Sequence, residues 1–320
     1  MIKIVQKGIA PERIPRKTGD FDGVFEEILP EQGYPISASG QQFYRPARID
    51  FRSCVVIEMS PAAIPVGGES AQWLGGSIKI RNQQLEVFRM KTIGIIGGIA
   101  PESTIQYYRL IIKSYREQKG DGSYPPILIN SIDMKMMLDL IGANELPSVI
   151  EYLVEQVKKL AVAGADFGLL ASNTPHIVFN DIRQQSPIPL ISIVEVTCLA
   201  TQALGLKKVG LFGTRFTMQG HFYAEEFSKY GITLVVPDLE TQAYIHDKYM
   251  SELVNGIFLP KTNERLLAIA NELQKQQGIE GLILGGTELP FIMNETSGQT
   301  IPFLDTTKLH AEQAVTQMLS

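Results

Sequence analysis

The chain has 320 residues, of which 44% are hydrophobic and 20% charged, as is typical of a folded globular protein of about two domains. A formal net charge of −5 and the lack of a Lys/Arg-rich cluster argue against a nucleic-acid partner. No apolar run approaches the roughly 20 residues that span a bilayer, and residues 1–17 lack a secretory-signal pattern, so we expect a cytoplasmic protein with no membrane partner. Cys54 and Cys198 fit neither a disulfide framework nor a metal-binding spacing and are interpreted as buried apolar residues.

Residues 1–89 differ in pattern from the rest of the chain. Short apolar runs, such as residues 54–57 and 77–80, alternate with Gly- and Pro-containing stretches, which favours short strands and turns. We interpret this region as a short β-rich or irregular N-terminal extension of unknown role. A second interpretation stays open: the natural protein begins at Met90, a plausible start, and lacks this region.

From Met90 onwards, short apolar strands alternate with helices. Strands are predicted at residues 91–97, 127–130 and 167–170. The helix that begins near Pro101 carries four apolar residues on one face: Ile105, Tyr108, Ile112 and Tyr115. The next helix ends at Gly164 and directs five apolar residues inward: Val149, Ile150, Leu153, Val157 and Leu160. Repeated strand–helix units of this length predict a parallel sheet with helices on both faces.

The pattern then repeats. Three pairs of segments resemble each other in the same order and at nearly the same offset: residues 91–97 and 207–213, residues 164–170 and 278–284, and residues 189–191 and 302–304. This similarity predicts an internal duplication, although any two doubly wound domains share glycine-ended strands.

We therefore predict an α/β fold of two pseudo-symmetric, doubly wound parallel-sheet halves. The first half spans residues 90–195 and is joined by the C-terminal helix at residues 307–320. The second half spans residues 196–306.

The carboxyl ends of the strands are where open parallel sheets bind ligands. Small, polar segments, three of which contain glycine, occupy these ends: residues 97–104, 130–133, 171–176, 213–217 and 285–290. Asn173 and Thr287 hold equivalent positions in the repeat, so duplicated halves would present them from opposite sides of one cleft. The loop at Gly97 lacks dinucleotide and P-loop spacing; we expect it to hold a carboxylate at the following helix start, with a simple tight turn as the alternative.

These segments resemble the aspartate/glutamate racemase family, which includes hydantoin racemases, maleate isomerases and arylmalonate decarboxylases. The resemblance begins at Met90 and rests on these segments: residues 94–98 with 102–104, 131–133, 173–174 with 176, 213–218, 285–290 and 305–307. It implies a small-molecule amino acid or dicarboxylate as substrate, no pyridoxal phosphate or metal cofactor, and a homodimer.

The resemblance also implies a mechanism with one cysteine from each half on opposite faces of the substrate α-carbon. One thiolate removes the α-proton, and the other thiol returns a proton from the far side. This chain departs from that pattern, because the positions that the resemblance gives to the two cysteines hold Ala171 and Gly286. Neither Cys54 nor Cys198 can be assumed to replace them.

Other groups at the strand ends must then supply the acid–base chemistry. We name Ser172, Thr287 and His176 as candidate catalytic residues, because a hydroxyl needs a neighbouring base and imidazole titrates near neutral pH. An equally favoured role for His176 is to order the Asn-Thr loop. The resemblance points to these substrate-binding residues: Gly98, Ser131, Asn173, Thr174, Thr214 and Glu288.

The remaining charged residues of these loops have two interpretations each. Asp133 and Glu288 are carboxylates whose pKa burial would raise, although their positions in the family motifs suggest that they orient the loops. Arg215 is either a partner for a carboxylate or a solvated loop residue. The other histidines fall on predicted helices and are interpreted as structural or surface residues: His221, His246 and His310.

These observations predict a cofactor-independent amino-acid racemase, with aspartate or glutamate as substrate. A related isomerase or decarboxylase acting on a dicarboxylate shares the same binding loops and remains an alternative. A catalytically inactive paralogue that binds carboxylates is the other alternative.

Overall fold

A computed structural model describes residues 90–293 and 300–320 of the chain. The predicted N-terminal extension, residues 1–89, and Cys54 within it lie outside the described residues.

Two four-stranded parallel sheets form the framework. The first sheet has the order β2-β1-β3-β4 and contains β1 (Ile93–Gly97), β2 (Ile127–Ser131), β3 (Phe167–Leu170) and β4 (Leu190–Ile191). The second has the order β6-β5-β7-β8 and contains β5 (Lys208–Gly213), β6 (Thr233–Val235), β7 (Gly281–Gly285) and β8 (Phe303–Asp305). The same strand order in both sheets confirms the predicted fold class of two pseudo-symmetric α/β halves.

Helices connect the strands of each half. In the first half these are α1 (Pro101–Lys119), α2 (Met134–Gly142), α3 (Leu146–Val162), α4 (Phe179–Gln185) and α5 (Ile193–Ala203). In the second half they are α6 (Arg215–Gln219), α7 (His221–Ser228), α8 (Leu239–Ser251), α9 (Pro260–Gln277), α10 (Leu289–Ile292) and α11 (Thr306–Leu319). Short 3₁₀ turns cover Thr174–Val178 and Leu253–Asn255.

The last helix of each half packs against the other half. In α5, which follows the first sheet, Ile193 and Cys198 lie in a core cluster with Val209 and Leu211 of β5. In α11, which follows the second sheet, four residues lie in a core cluster with residues of β1: Ala311, Ala314, Val315 and Met318. This exchange of helices holds the two sheets together and brings their carboxyl ends close to each other.

The strand register defines which residues of the two halves are counterparts. Leu170 of β3 pairs with Ile96 of β1, and Leu284 of β7 pairs in the same way with Phe212 of β5. Counting onward from Leu170 and Leu284, Ser172 corresponds to Gly286 and Asn173 corresponds to Thr287.

The expected apolar face of α1 was correct for Tyr115, which is completely buried, but wrong for Ile105 and Tyr108. Ile105 and Tyr108 are 43% and 47% exposed, while Tyr107 and Ile111 are completely buried. The buried face also carries Ser103, which donates to the carbonyl oxygen of Ala100 over 2.7 Å. Because backbone carbonyls satisfy its polar side chains, this face does not show the hydrophobic periodicity on which the prediction depended.

Candidate active site between the two halves

Loops from both halves meet at the carboxyl ends of the sheets. The hydroxyl of Thr174, after β3, lies 3.1 Å from the hydroxyl of Thr214, after β5. Thr214 caps α6 by accepting a hydrogen bond from the amide of Thr217. Both threonines are buried, so the contact closes the space between the halves rather than lining an open groove.

Asn173 is hydrogen-bonded by two residues of the second half. Its Oδ1 accepts a hydrogen bond of 2.6 Å from Tyr223 of α7, and its Nδ2 donates over 3.2 Å to Thr306 at the start of α11. Thr306 in turn donates to the carbonyl oxygen of Leu284, near the end of β7. Asn173 therefore links the two halves, and only its second N–H remains for a substrate.

His176 has both ring nitrogens in hydrogen bonds to the backbone. Nδ1 donates to the carbonyl oxygen of Ser172 over 3.0 Å, and Nε2 accepts the amide N–H of Ile193 over 3.2 Å. Burial, followed by the effect of His310, lowers the pKa of His176 well below its usual value, so the ring is neutral. This geometry fits the ordering of the loop at Ser172 and leaves no free nitrogen for a general base.

The two residues after β3 face different surroundings. Ala171 is completely buried within the core cluster that contains Ile93 and Tyr107. The Oγ of Ser172 makes no hydrogen bond to any residue that the structure describes, and this side chain is 7% exposed. Residue 171 thus faces the core, and in the strand register residue 172, not residue 171, is the counterpart of Gly286.

The glycine loop after β1 is held by its own neighbours. The amide of Gly98 donates to Thr104 Oγ1 over 2.8 Å, so it is not free for a carboxylate. Gly98 has a φ of +85°, and a Cβ there would lie 2.4 Å from the carbonyl oxygen of Ile132, which explains the glycine. Ser131, on the same side, is exposed.

A buried carboxyl group follows β7. Glu288 is 1% exposed, and its Oε2 accepts hydrogen bonds from Thr287 Oγ1, over 2.8 Å, and from the hydroxyl of Tyr249. Its Oε1 has no partner in the part of the chain that the structure describes. Burial raises the pKa of Glu288, and the charge of Glu102 in the first half acts in the same direction.

The other charged residues named from the sequence lie outside this cluster. Asp133 is exposed and caps α2 by accepting the amides of Lys135 and Met136. Arg215 is exposed, with its guanidinium 5.5 Å from the ring of Phe216. Among the remaining histidines, His310 of α11 is buried, whereas His221 is exposed.

Several groups of this site were missed in the sequence. Tyr223 and Tyr249 lie on amphipathic helices, where an aromatic residue is indistinguishable from an ordinary core residue. Thr306 lies in one of the family motifs, and that was the available signal for its position.

Within residues 90–293 and 300–320, no three His, Cys, Asp or Glu side chains are arranged to hold a metal ion. None of the helices of that part is long and apolar enough to cross a membrane.

The sequence model for Asp/Glu/Hydantoin racemase matches residues 96–314, which include every loop of the site and all strands except the start of β1. The chain belongs to this racemase family. The resemblance found in the sequence motifs is thereby confirmed.

Relatives of this racemase family member cover the same part of the chain. The broad specificity amino-acid racemase RacX of Bacillus subtilis is 26% identical over 234 residues, which are 71% of this chain and 98% of RacX. The crystal structure of an aspartate racemase homologue from Pyrococcus horikoshii is 32% identical, with a TM-score of 0.64 over 72% of this chain and 100% of that one. That of a candidate Asp/Glu racemase from Yersinia pestis is 31% identical, with a TM-score of 0.66 over the same shares.

Proposed function

We propose that the chain is a racemase-type isomerase that removes and returns the α-proton of an amino acid between the two halves, without a cofactor. The observation that carries this proposal is the equivalence of residues 172 and 286 at the carboxyl ends of β3 and β7. An enzyme that inverts a stereocentre needs groups on opposite faces of the α-carbon, and two pseudo-symmetric strand ends can supply them.

Ser172 is the proposed group of the first half. Its hydroxyl is free of protein hydrogen bonds in the described residues, and His176 holds its carbonyl oxygen. A hydroxyl is a weak acid and a weaker base than a thiolate, so we expect slow proton transfer on this face. The hydroxyls of Thr174 and Thr214, which lie 3.1 Å apart where the two halves meet, are the proposed donors to the substrate carboxylate.

Aspartate and glutamate are the proposed substrates, because relatives named as Asp/Glu and aspartate racemases support an acidic amino acid. The broad specificity of RacX makes a wider panel necessary in the assay. The test is incubation of the protein with each enantiomer of these amino acids in deuterium oxide, followed by NMR for α-deuterium and chiral chromatography for inversion.

The expected result is α-deuterium in aspartate or glutamate and formation of the opposite enantiomer. Ser172→Ala should slow the exchange of one enantiomer by about 100-fold, as for the loss of a positioned acid–base group. Ser228→Ala, at an exposed position in α7, is the matched control and should leave the rate unchanged.

Two other outcomes would contradict the proposal. Conversion of a dicarboxylate to an isomer or a decarboxylated product, identified by NMR, would indicate the alternative isomerase or decarboxylase. An increase in the melting temperature with aspartate, but without any exchange across the panel, would indicate a binding protein.

A further inference from the structure

An aromatic ring fills the space beside Gly286. A Cβ on residue 286 would lie 2.4 Å from Cε2, 3.0 Å from Cζ and 3.1 Å from the hydroxyl oxygen of Tyr249. Close-packed atoms do not approach to 2.4 Å, so a side chain at residue 286 and the ring of Tyr249 exclude each other. Tyr249 comes from α8 and is 6% exposed.

The ring of Tyr249 lies beside Gly286, which is the counterpart of Ser172. The strand register makes residue 286 equivalent to residue 172, and the hydroxyl of Ser172 has no hydrogen-bond partner among the described residues. In the second half, the place of a residue-286 side chain is taken by a phenol that reaches it from a helix. Both strand ends thus present a hydroxyl group, one from the loop itself and one from α8.

The phenol of Tyr249 is hydrogen-bonded to the buried carboxyl group of Glu288. Tyr249 donates to Oε2 of Glu288, and Thr287 fixes the same oxygen. Oε1 of Glu288 is buried and has no partner among the described residues. A buried carboxyl in contact with a phenol can give a proton to the phenol oxygen or take one from it.

We propose that Tyr249, backed by Glu288, is the acid–base group that faces the substrate α-carbon from the second half, in the space that a side chain at residue 286 would otherwise fill. This inference rests on the proposed racemase-type function. It explains how the chain keeps two opposed proton-transfer groups although residue 286 is a glycine.

At Tyr249 the proton transfer balances in both directions. On the opposite face, Ser172 Oγ gives its hydroxyl proton to solvent water as it takes the α-proton, and regains one from water after it has returned a proton to the α-carbon. When Tyr249 acts as the acid, its O–H bond breaks and a C–H bond forms on the α-carbanion, while Glu288 passes its proton to the phenol oxygen. When Tyr249 acts as the base, the α-proton moves to the phenol oxygen, the C–H electron pair stays on the α-carbon, and the phenol proton moves to the Glu288 carboxylate. Glu288 re-equilibrates with solvent between turnovers.

The test measures deuterium exchange for each enantiomer separately in wild type, Tyr249→Phe and Ser172→Ala. Tyr249→Phe keeps the ring but removes the hydroxyl, so exchange of one enantiomer should fall about 100-fold or more. Exchange of the other enantiomer, which depends on Ser172, should change little, and Ser172→Ala should show the reverse pattern. Tyr244→Phe, on the same helix and half-buried, is the matched control and should match wild type.

Equal losses for both enantiomers, unchanged exchange, or faster exchange in Tyr249→Phe would each overturn the inference while leaving the proposed function intact. A wild-type protein that exchanges no amino acid of the panel would overturn the proposed function, and the inference with it. Should Tyr249→Phe fail to fold, Glu288→Gln keeps the shape of the pair and must show the same loss for the same enantiomer.

Discussion

The hydroxyl of Tyr223 donates a hydrogen bond of 2.6 Å to Oδ1 of Asn173 and joins α7 of the second half to the loop after β3 of the first. Both residues are buried, and the remaining bond of Asn173 also crosses to the second half, at Thr306. The position of Ser172, one residue earlier, therefore depends on contacts that come from the other half of the fold.

Removal of this bond should destabilise the protein. Tyr223→Phe leaves a buried carbonyl oxygen without its donor, so we expect the free energy of unfolding to fall by about 1 to 3 kcal/mol. Urea denaturation followed by circular dichroism measures this change. Tyr230→Phe, at a residue that is 36% exposed, is the control and should match wild type. An unchanged stability of Tyr223→Phe would show that the bond is not formed in solution.

Gly286→Ala tests the packing of Tyr249 without any assay of activity. The added Cβ has to displace the ring, and we expect a loss of about 1 to 3 kcal/mol in the free energy of unfolding. In a Tyr249→Ala background the same change should cost much less, because the ring is gone. Gly142→Ala, where a Cβ meets nothing within 4 Å, is the control. Equal costs in both backgrounds would contradict the contact.

A thiol at residue 172 should accelerate proton exchange. The pKa of a thiol is about 8.5, far below that of a hydroxyl, so Ser172→Cys should raise the exchange of one enantiomer roughly tenfold or more. It should also make the activity sensitive to iodoacetamide. Burial raises the pKa of Cys198 to about 11, and that residue lies in a core cluster with Val209 and Leu211 of β5.

The assay of Ser172→Cys is best carried out in a Cys54→Ser/Cys198→Ala background, so that only the new thiol can react. Before the thiol is added, this background should be as active as wild type and resistant to iodoacetamide. Loss of activity in the background alone would point to a cysteine in the mechanism.

His310 should make the protein less stable in acid. Its Nδ1 lies 2.8 Å from the Tyr107 hydroxyl and its Nε2 lies 3.1 Å from the carbonyl oxygen of Ile191, so the ring is used as a neutral donor and acceptor. Burial lowers its pKa to about 4. Since the unfolded chain binds this proton near pH 6.5 and the folded chain does not, stability is complete above that pH and falls as the pH drops towards about 4.

Between pH 6.5 and about 4, the free energy of unfolding should fall by about 3 kcal/mol because of His310 alone. We expect His310→Gln to lower the free energy of unfolding at neutral pH. Between pH 6.5 and about 4, however, the free energy of unfolding of this variant should depend less on pH than that of wild type. Urea denaturation across that pH range measures both effects. The exposed His221→Gln is the control and should keep the wild-type dependence. A His310→Gln curve parallel to that of wild type would contradict the prediction.

Local sequence patterns were sufficient for the architecture. Apolar strands that end in glycine, such as residues 93–97 and 281–285, are recognisable because a buried parallel strand needs a short run of apolar residues whatever lies beside it. The repeat predicted the two sheets, and the motifs after the strands identified the family. The same motifs also placed Asn173, Thr174 and Thr214 at loops that do meet.

Tertiary contacts decided the chemistry of the site. His176 is a structural residue and not a base because the amide of Ile193 donates a hydrogen bond to its second ring nitrogen, Nε2. The strand register decided that Ser172, and not Ala171, is the counterpart of Gly286. The space beside Gly286 is filled by the ring of Tyr249, which comes from α8. No periodicity in the chain encodes such pairs, because they join side chains of separate elements that become neighbours only when the sheets and helices pack.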